Sequence, residues 1–188
     1  LNLSDCGLST IAGLEGAQKL TALDLSSNTI RNLEPLSGLT GLTQLYLQHN
    51  AVTDLTVIGS LTNLESLDVS YNSLSTIAPL SGCIRLTSLN ASNNQLSDVS
   101  PASALPILSE LRVDYNQLTS LDGLTGCSAL KTLTVSNNTI ESLDGIAGLG
   151  TLESLDFSYN HVADIPEFPE NASMQVIDGS YNVVTSID

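Results

Sequence analysis

The sequence predicts an α/β-class right-handed solenoid, with a parallel β-sheet on its concave face and turns and short 3₁₀ helices on its convex face. Three observations predict it. Asparagine recurs at 28, 50, 72, 94, 116, 138, 160 and 182, spaced by 22 residues without a slip. Apolar residues fill further columns at the same period, and polar and apolar residues alternate just ahead of each asparagine. Self-similarity at a fixed period marks stacked units, each of which buries its apolar edges only against its neighbours.

Take Leu20 as slot 1 of a 22-residue unit. Slot 4 then holds Leu1, Leu23, Leu45, Leu67, Leu89, Leu111, Leu133, Leu155 and Ile177, and slot 11 runs from Leu8 and Ile30 to Val162 and Val184. Cys6 stands where the asparagine column, slot 9, would begin. Slots 3 to 7 read as Ala22-Leu23-Asp24-Leu25-Ser26, the period-2 signature of a strand with one buried face. Successive strands run the same way, so they pair in parallel and the return must cross the far side of the core. Pro35, Pro79, Pro101, Pro166 and Pro169 fall in that return, which predicts turns and brief 3₁₀ helix. The asparagine amide, able to donate and accept, is expected to satisfy backbone groups that stacking would bury. Cys6 makes such bonds poorly, so the first unit is expected to be looser.

Stretches such as Leu20-Thr-Ala-Leu23-Asp-Leu25-Ser-Ser-Asn28-Thr-Ile30 resemble the leucine-rich repeat family, and the resemblance covers the whole chain. A 22-residue unit is similar to the internalin and phosphatase-regulatory subclass. Leu33-Glu-Pro-Leu36, Ile77-Ala-Pro-Leu80 and Val99-Ser-Pro-Ala102 resemble the convex side of internalins. The internalin likeness implies part of a bacterial cell-surface or secreted adhesin that binds a protein on its concave face. The phosphatase-regulatory likeness implies an intracellular, cytoplasmic adaptor. A third reading is a structural spacer of a larger surface protein.

The 188 residues are expected to form one solenoid of about eight and a half units. The chain opens at slot 4 and closes at slot 15 without a polar cap, which predicts a segment of a longer protein. It contains no run of 18 apolar residues and no basic, apolar leader. Twenty acids against five bases give a net charge of −15, which repels nucleic acid and anionic membrane. Cys83 and Cys127 share slot 20 two units apart, about 10 Å, beyond the reach of a disulfide. They are expected to be free, buried thiols.

Inward slots are monotonous, so functional information must lie in the outward ones. All five tyrosines lie there: Tyr46 at slot 5, then Tyr71, Tyr115, Tyr159 and Tyr181 at slot 8. Phe157 and Phe168 instead occupy core columns. Tyrosine offers large contact area at low entropy cost, so these side chains either touch a partner or shield the asparagine ladder. Asp5, Asp24, Glu65, Asp68, Glu110, Asp114, Glu153, Asp156 and Asp178 accompany them, against Arg112 and Lys131. Such a face is either merely solvated or complementary to a basic partner. Arg112, between Glu110 and Asp114, reads as an internal ion-pair partner. The candidate partner-binding set is therefore Tyr46, Tyr71, Tyr115, Tyr159, Tyr181, Asp24, Asp68, Arg112, Asp114, Asp156, Asp178 and His49, on a monomer that takes a protein partner.

Catalysis needs groups that converge in a pocket, and an open wall of serines, acids and tyrosines provides none. His49 and His161 are five units apart, about 24 Å, too far to share a metal. Asp156 and Asp178, with Ser158 or Ser180, fall short of the six or more oxygens calcium takes. No catalytic residue, metal or cofactor is expected. Unit eight departs from the pattern at Ile165-Pro-Glu-Phe168-Pro-Glu-Asn171, and the next unit carries Gly179 for a core leucine, so geometry is expected to change there.

Overall fold

A computed structural model describes residues 1–167 and 173–187. Each repeat adds one short strand: β1 (Ala22–Asp24), β2 (Gln44–Tyr46), β3 (Ser66–Asp68), β4 (Ser88–Asn90), β5 (Glu110–Arg112), β6 (Thr132–Thr134) and β7 (Ser154–Asp156). Unit eight holds β8 (Asp164–Ile165), and β9 (Val176–Asp178) and β10 (Ser186–Ile187) follow. Among the described residues, β1 to β7 and β9 form one parallel sheet in chain order, as expected. Its register is the repeat itself, with Leu23 opposite Leu45 and Leu133 opposite Leu155. A bridge from Asn2 to Asp24 begins the same ladder in the first unit.

The far side is built from 3₁₀ turns at Glu34–Leu36, Ile58–Ser60, Ala78–Gly82, Ser100–Ala104, Leu124–Gly126 and Asp144–Ile146. Pro35, Pro79 and Pro101 stand in the first turn of three of them, where a fixed φ helps and the missing N–H costs nothing. Backbones there nearly touch, since a Cβ on Gly82 would lie 2.2 Å from the Gly59 carbonyl oxygen. In unit eight the pattern gives way to β8, which pairs in parallel with β10 as a second, two-stranded sheet. Phe168, Pro169 and Asn171 of the irregular segment lie outside the described residues.

Leucine, isoleucine and valine from successive units form one continuous core. Slot 6 shows how it absorbs size changes. Phe157 fills it in one unit and is fully buried, and a Cβ on Gly179, its successor, would sit 2.3 Å from the Phe157 ring tip. The glycine that breaks the column is thus the space the phenylalanine occupies. Cys83 and Cys127 are buried free thiols, as expected, and the Cys83 thiol donates to the Ile58 carbonyl at 3.3 Å. Burial pushes the Cys83 thiol up to about 11. Cys6, in contrast, is exposed.

The asparagines form the predicted ladder. Asn138 Nδ2 donates to the Val135 and Ser136 carbonyls of its own unit at 3.0 and 3.1 Å and to Val113 of the preceding one at 3.1 Å. Its Oδ1 accepts the Leu118 N–H at 3.0 Å. One buried side chain therefore completes four backbone groups, two of them in the neighbouring repeat. Asn28 makes the corresponding bonds against the first unit, and its Oδ1 takes the Cys6 N–H at 3.2 Å as well as that of Leu8 at 2.8 Å.

Asn138→Ala should cost about 3 kcal/mol or more, since a buried group left unpaired costs about 1–3 kcal/mol. Asn182→Ala, whose contacts are more exposed, should cost less; urea unfolding of the two variants checks the order. Iodoacetamide at pH 8.5 should label the native protein once, at Cys6, and three times after unfolding, as read by mass spectrometry.

Candidate interaction surface

The rim of the sheet is set by an unusual backbone requirement. Asp5, Ser27, His49, Tyr71, Asn93, Tyr115, Asn137, Tyr159 and Tyr181, the slot 8 residues, all have φ between 52° and 56°. The chain needs this left-handed residue to leave the strand and aim the next side chain, the ladder asparagine, into the core. The slot 8 N–H still belongs to the ladder, as Tyr71 N–H donates to the Ser92 carbonyl at 3.0 Å. The four slot 8 tyrosines consequently stand at the rim of the concave face, while Tyr46, in β2, lies half-buried on its floor. Sequence reasoning placed all five on the face together and missed the left-handed turn. Aspartate and asparagine at 5, 93 and 137, types that tolerate this conformation, were its available signal.

Tyrosine is a poor choice for such a backbone. A left-handed L-residue costs about 1–2 kcal/mol, and a bulky side chain there is a true outlier. Three of the four recover some of that through stacking. The Tyr159 and Tyr181 rings lie 4.1 Å apart at 11°, and His49 stacks on Tyr71 at 4.1 Å and 18°. A hydrogen bond with Tyr181, desolvation and the charges of Tyr181, Tyr115 and Asp178 push the Tyr159 phenol up. Tyr115, between Asn93 and Asn137, has no ring in an adjacent unit. It is nevertheless 56% exposed, so it shields little beneath it.

The floor aspartates have a structural task that sequence reasoning did not assign. Asp24 Oδ1 accepts the Ser26 N–H at 2.9 Å and its hydroxyl at 2.6 Å. Asp68 holds Ser70 in the same way, at 2.9 and 2.7 Å. Asp156 and Asp178 accept the Ser158 and Ser180 N–H at 2.9 Å each. The signal was a recurrent Asp/Asn-x-Ser, which closes a side-chain turn at the strand end. Unit seven has Thr134 in that slot and cannot close it. Asp114, from slot 7 of the previous unit, reaches across and accepts the Ser136 N–H at 2.9 Å and the Thr134 hydroxyl at 2.7 Å. Where Tyr46 and Gln48 replace the pair, the Gln48 Oε1 is enclosed without a hydrogen-bond partner among the described residues.

Bases on this surface are taken by glutamates. Arg112 pairs with Glu110 at 2.6 Å, Lys131 with Glu153 at 2.8 Å and Arg85 with Glu65 at 3.7 Å. Arg112 is thus an internal ion-pair partner, to Glu110 and not to Asp114. Burial pushes the Glu110 carboxyl up, but the Arg112 hydrogen bond, the Ser88 hydroxyl and the guanidinium charge outweigh it, and the net direction is down. Among the described residues no ion pair reaches the floor aspartates, so the aspartate column stays negative. Two depressions lie away from the strand floor, one along 16–20 and one between Glu141, Asp144 and Asp164. No described helix is long and apolar enough to cross a membrane.

Family models described as leucine-rich repeats match residues 18–60, 40–82, 62–107 and 84–126, and a related leucine-rich repeat model matches 106–162. Among solved structures the chain is similar to internalin C2 of Listeria monocytogenes, at 28% identity and TM-score 0.90, over 94% of this chain and 78% of that one. It is also similar to a second Listeria monocytogenes internalin, inlF, at 26% identity and TM-score 0.70, over 97% of this chain and 64% of that one. A plant peptide hormone receptor, RGFR1, solved in complex with RGF2, shares the fold at 23% identity and TM-score 0.76, over 90% of this chain and 30% of that one. No curated protein is significantly similar to it in sequence.

Tyr115→Asn should leave stability unchanged or raise it by about 0.5–1 kcal/mol, because asparagine suits a left-handed backbone and no ring stack is lost. Thermal unfolding decides the point, and a marked loss would mean that Tyr115 is there to protect the ladder.

Proposed function

The chain belongs to the leucine-rich repeat family, and on that premise we propose that it is a non-enzymatic protein-interaction module that holds a protein partner against its concave face. The observation that carries this reading is the placement of four tyrosines at a backbone position where folding favours asparagine. Side chains that cost the fold something and remain half exposed are best accounted for by what they touch outside it. Tyr71, Tyr115, Tyr159 and Tyr181 with His49 supply the rim contacts, and Tyr46, Asp24, Asp68, Asp156 and Asp178 the floor. Arg112 is held by Glu110 and Asp114 by four donors, so both act by shaping the surface.

A net charge of −15 and aspartates without ion pairs support a partner with a basic surface, and argue against nucleic acid. Likeness to two internalins supports a place in a bacterial surface or secreted adhesin. The module acts as a monomer, since the sheet face of one copy supplies the whole surface.

A photoreactive side chain at Thr132, on the floor, should crosslink a surface protein of the recognised cell, whereas one at Thr125, on the convex side, should not. Replacing Tyr71, Tyr115 and Tyr159 together by serine should keep the far-UV spectrum and lower the Thr132 crosslink at least tenfold. An undiminished crosslink in that variant, or an equal one from Thr125, removes the concave face from recognition.

A further inference from the structure

The rim does not carry rings in every unit. Between Tyr71 and Tyr115, and again between Tyr115 and Tyr159, it carries an asparagine. Where rings do occupy adjacent units they stand as parallel plates, 4.1 Å apart and within 18° of one another. Tyr71, Tyr115 and Tyr159 share the same backbone turn, with φ of 52°, 52° and 54°, so their side chains leave the chain on the same heading. Two units advance about 9.5 Å along the stack. A flat group touching a ring on each side needs about 7–8 Å, twice the contact distance between carbon atoms. Each asparagine gap is therefore the width of one inserted plane, with tilt to spare.

Asparagine is shorter than tyrosine, so neither gap holds a third ring. Asn137 turns back on its own strand and donates to the Ser136 hydroxyl at 3.2 Å, and Asn93 is half-buried. Tyr115 forms one wall of both gaps, which agrees with its being more exposed than Tyr71 or Tyr159. A guanidinium, an aromatic ring or a nucleobase has the right shape. Charge selects among them. Slots 7 to 10 carry no lysine or arginine in any unit, and the chain carries −15, which repels a polyanion and draws a cation. Lysine has no plane to sandwich, whereas arginine stacks on aromatic faces and stays charged.

We propose that the Tyr71–Tyr115 and Tyr115–Tyr159 gaps are two seats for arginine side chains of a protein partner, one seat every two repeats. A polyproline-type segment repeats its side-chain heading every third residue, about 9.3 Å, which matches that spacing. The occupant is thus a basic, extended segment of the form Arg-x-x-Arg. This rests on the reading that the partner docks on this side of the sheet, and adds its chemistry.

The test titrates the isotopically labelled protein, followed by amide NMR, with the peptides RPPRPPR, KPPKPPK and FPPFPPF at one ionic strength. The arginine peptide should bind about tenfold tighter than the lysine peptide and shift the amides of Tyr71, Asn93, Tyr115, Asn137 and Tyr159. Tyr115→Asn, whose folding is checked by the same spectra, should reduce it to the level of the lysine peptide. Equal binding of the arginine and lysine peptides, an arginine preference that survives Tyr115→Asn, or equal binding of the phenylalanine peptide overturns the arginine seats. So does an absence of rim shifts with all three. If the Thr132 crosslink persists in any of those cases, the concave-face reading stands without the seats; if it is also lost, both fall.

Discussion

The structure depends on how buried backbone groups are satisfied where each strand ends. A solenoid of stacked coils leaves carbonyls and N–H groups of neighbouring units facing one another without water, and each unpaired group costs about as much as a hydrogen bond is worth. The asparagine of each repeat answers this with a donor pair shared among three carbonyls and an acceptor for one N–H, as at Asn94. To deliver that side chain inward the preceding residue must turn left-handed. To turn left-handed it must point its own side chain outward at the rim. The surface that carries the tyrosines is a geometric consequence of the ladder that holds the core.

This coupling sets two pressures against each other at one position. Folding favours residues that tolerate positive φ, and Asp5, Asn93 and Asn137 comply. Recognition favours large rigid side chains with a polar tip, and tyrosine is the standard solution. The rim alternates between the two, and the rings that stack in pairs offset part of their cost, whereas Tyr115 does not. The unpaired ring is consequently the residue whose presence the fold explains least.

The fold was legible in the sequence because every core column repeats and one coil differs little from the next. Strand register, parallel pairing and the proline-bearing 3₁₀ turns all follow from the period and from the residues at Pro35, Pro79 and Pro101. The surface was legible only in composition. Slot 8 was visible as a tyrosine column, but its conformation is not encoded in tyrosine; its signal lies in Asn93 and Asn137, whose type tolerates a left-handed backbone. The aspartates read as a charged face because their charge is visible in sequence, while their hydrogen bonds to the serine two residues on are visible only as a spacing. Phe157 read as a core residue and Gly179 as an irregularity with no link between them, since their complementarity crosses between repeats 22 residues apart.

Asp114 shows where the independence of repeats ends. Most units close their own strand-end turn, so a residue at the rim or floor of one unit is free to change without consulting the next. Unit seven cannot, and takes its cap from Asp114 of unit six, through three hydrogen bonds from Thr134 and Ser136, while Ser92 of unit five donates a fourth to the same carboxylate. That contact ties the two units on either side of Tyr115 to one another at the middle of the tyrosine row. A wall shared by two gaps must keep its distance from both neighbours, and a cap that spans the repeat boundary beside it fixes the spacing on its C-terminal side. The place where one repeat borrows its closure from another is thus next to the ring that stacks on no other.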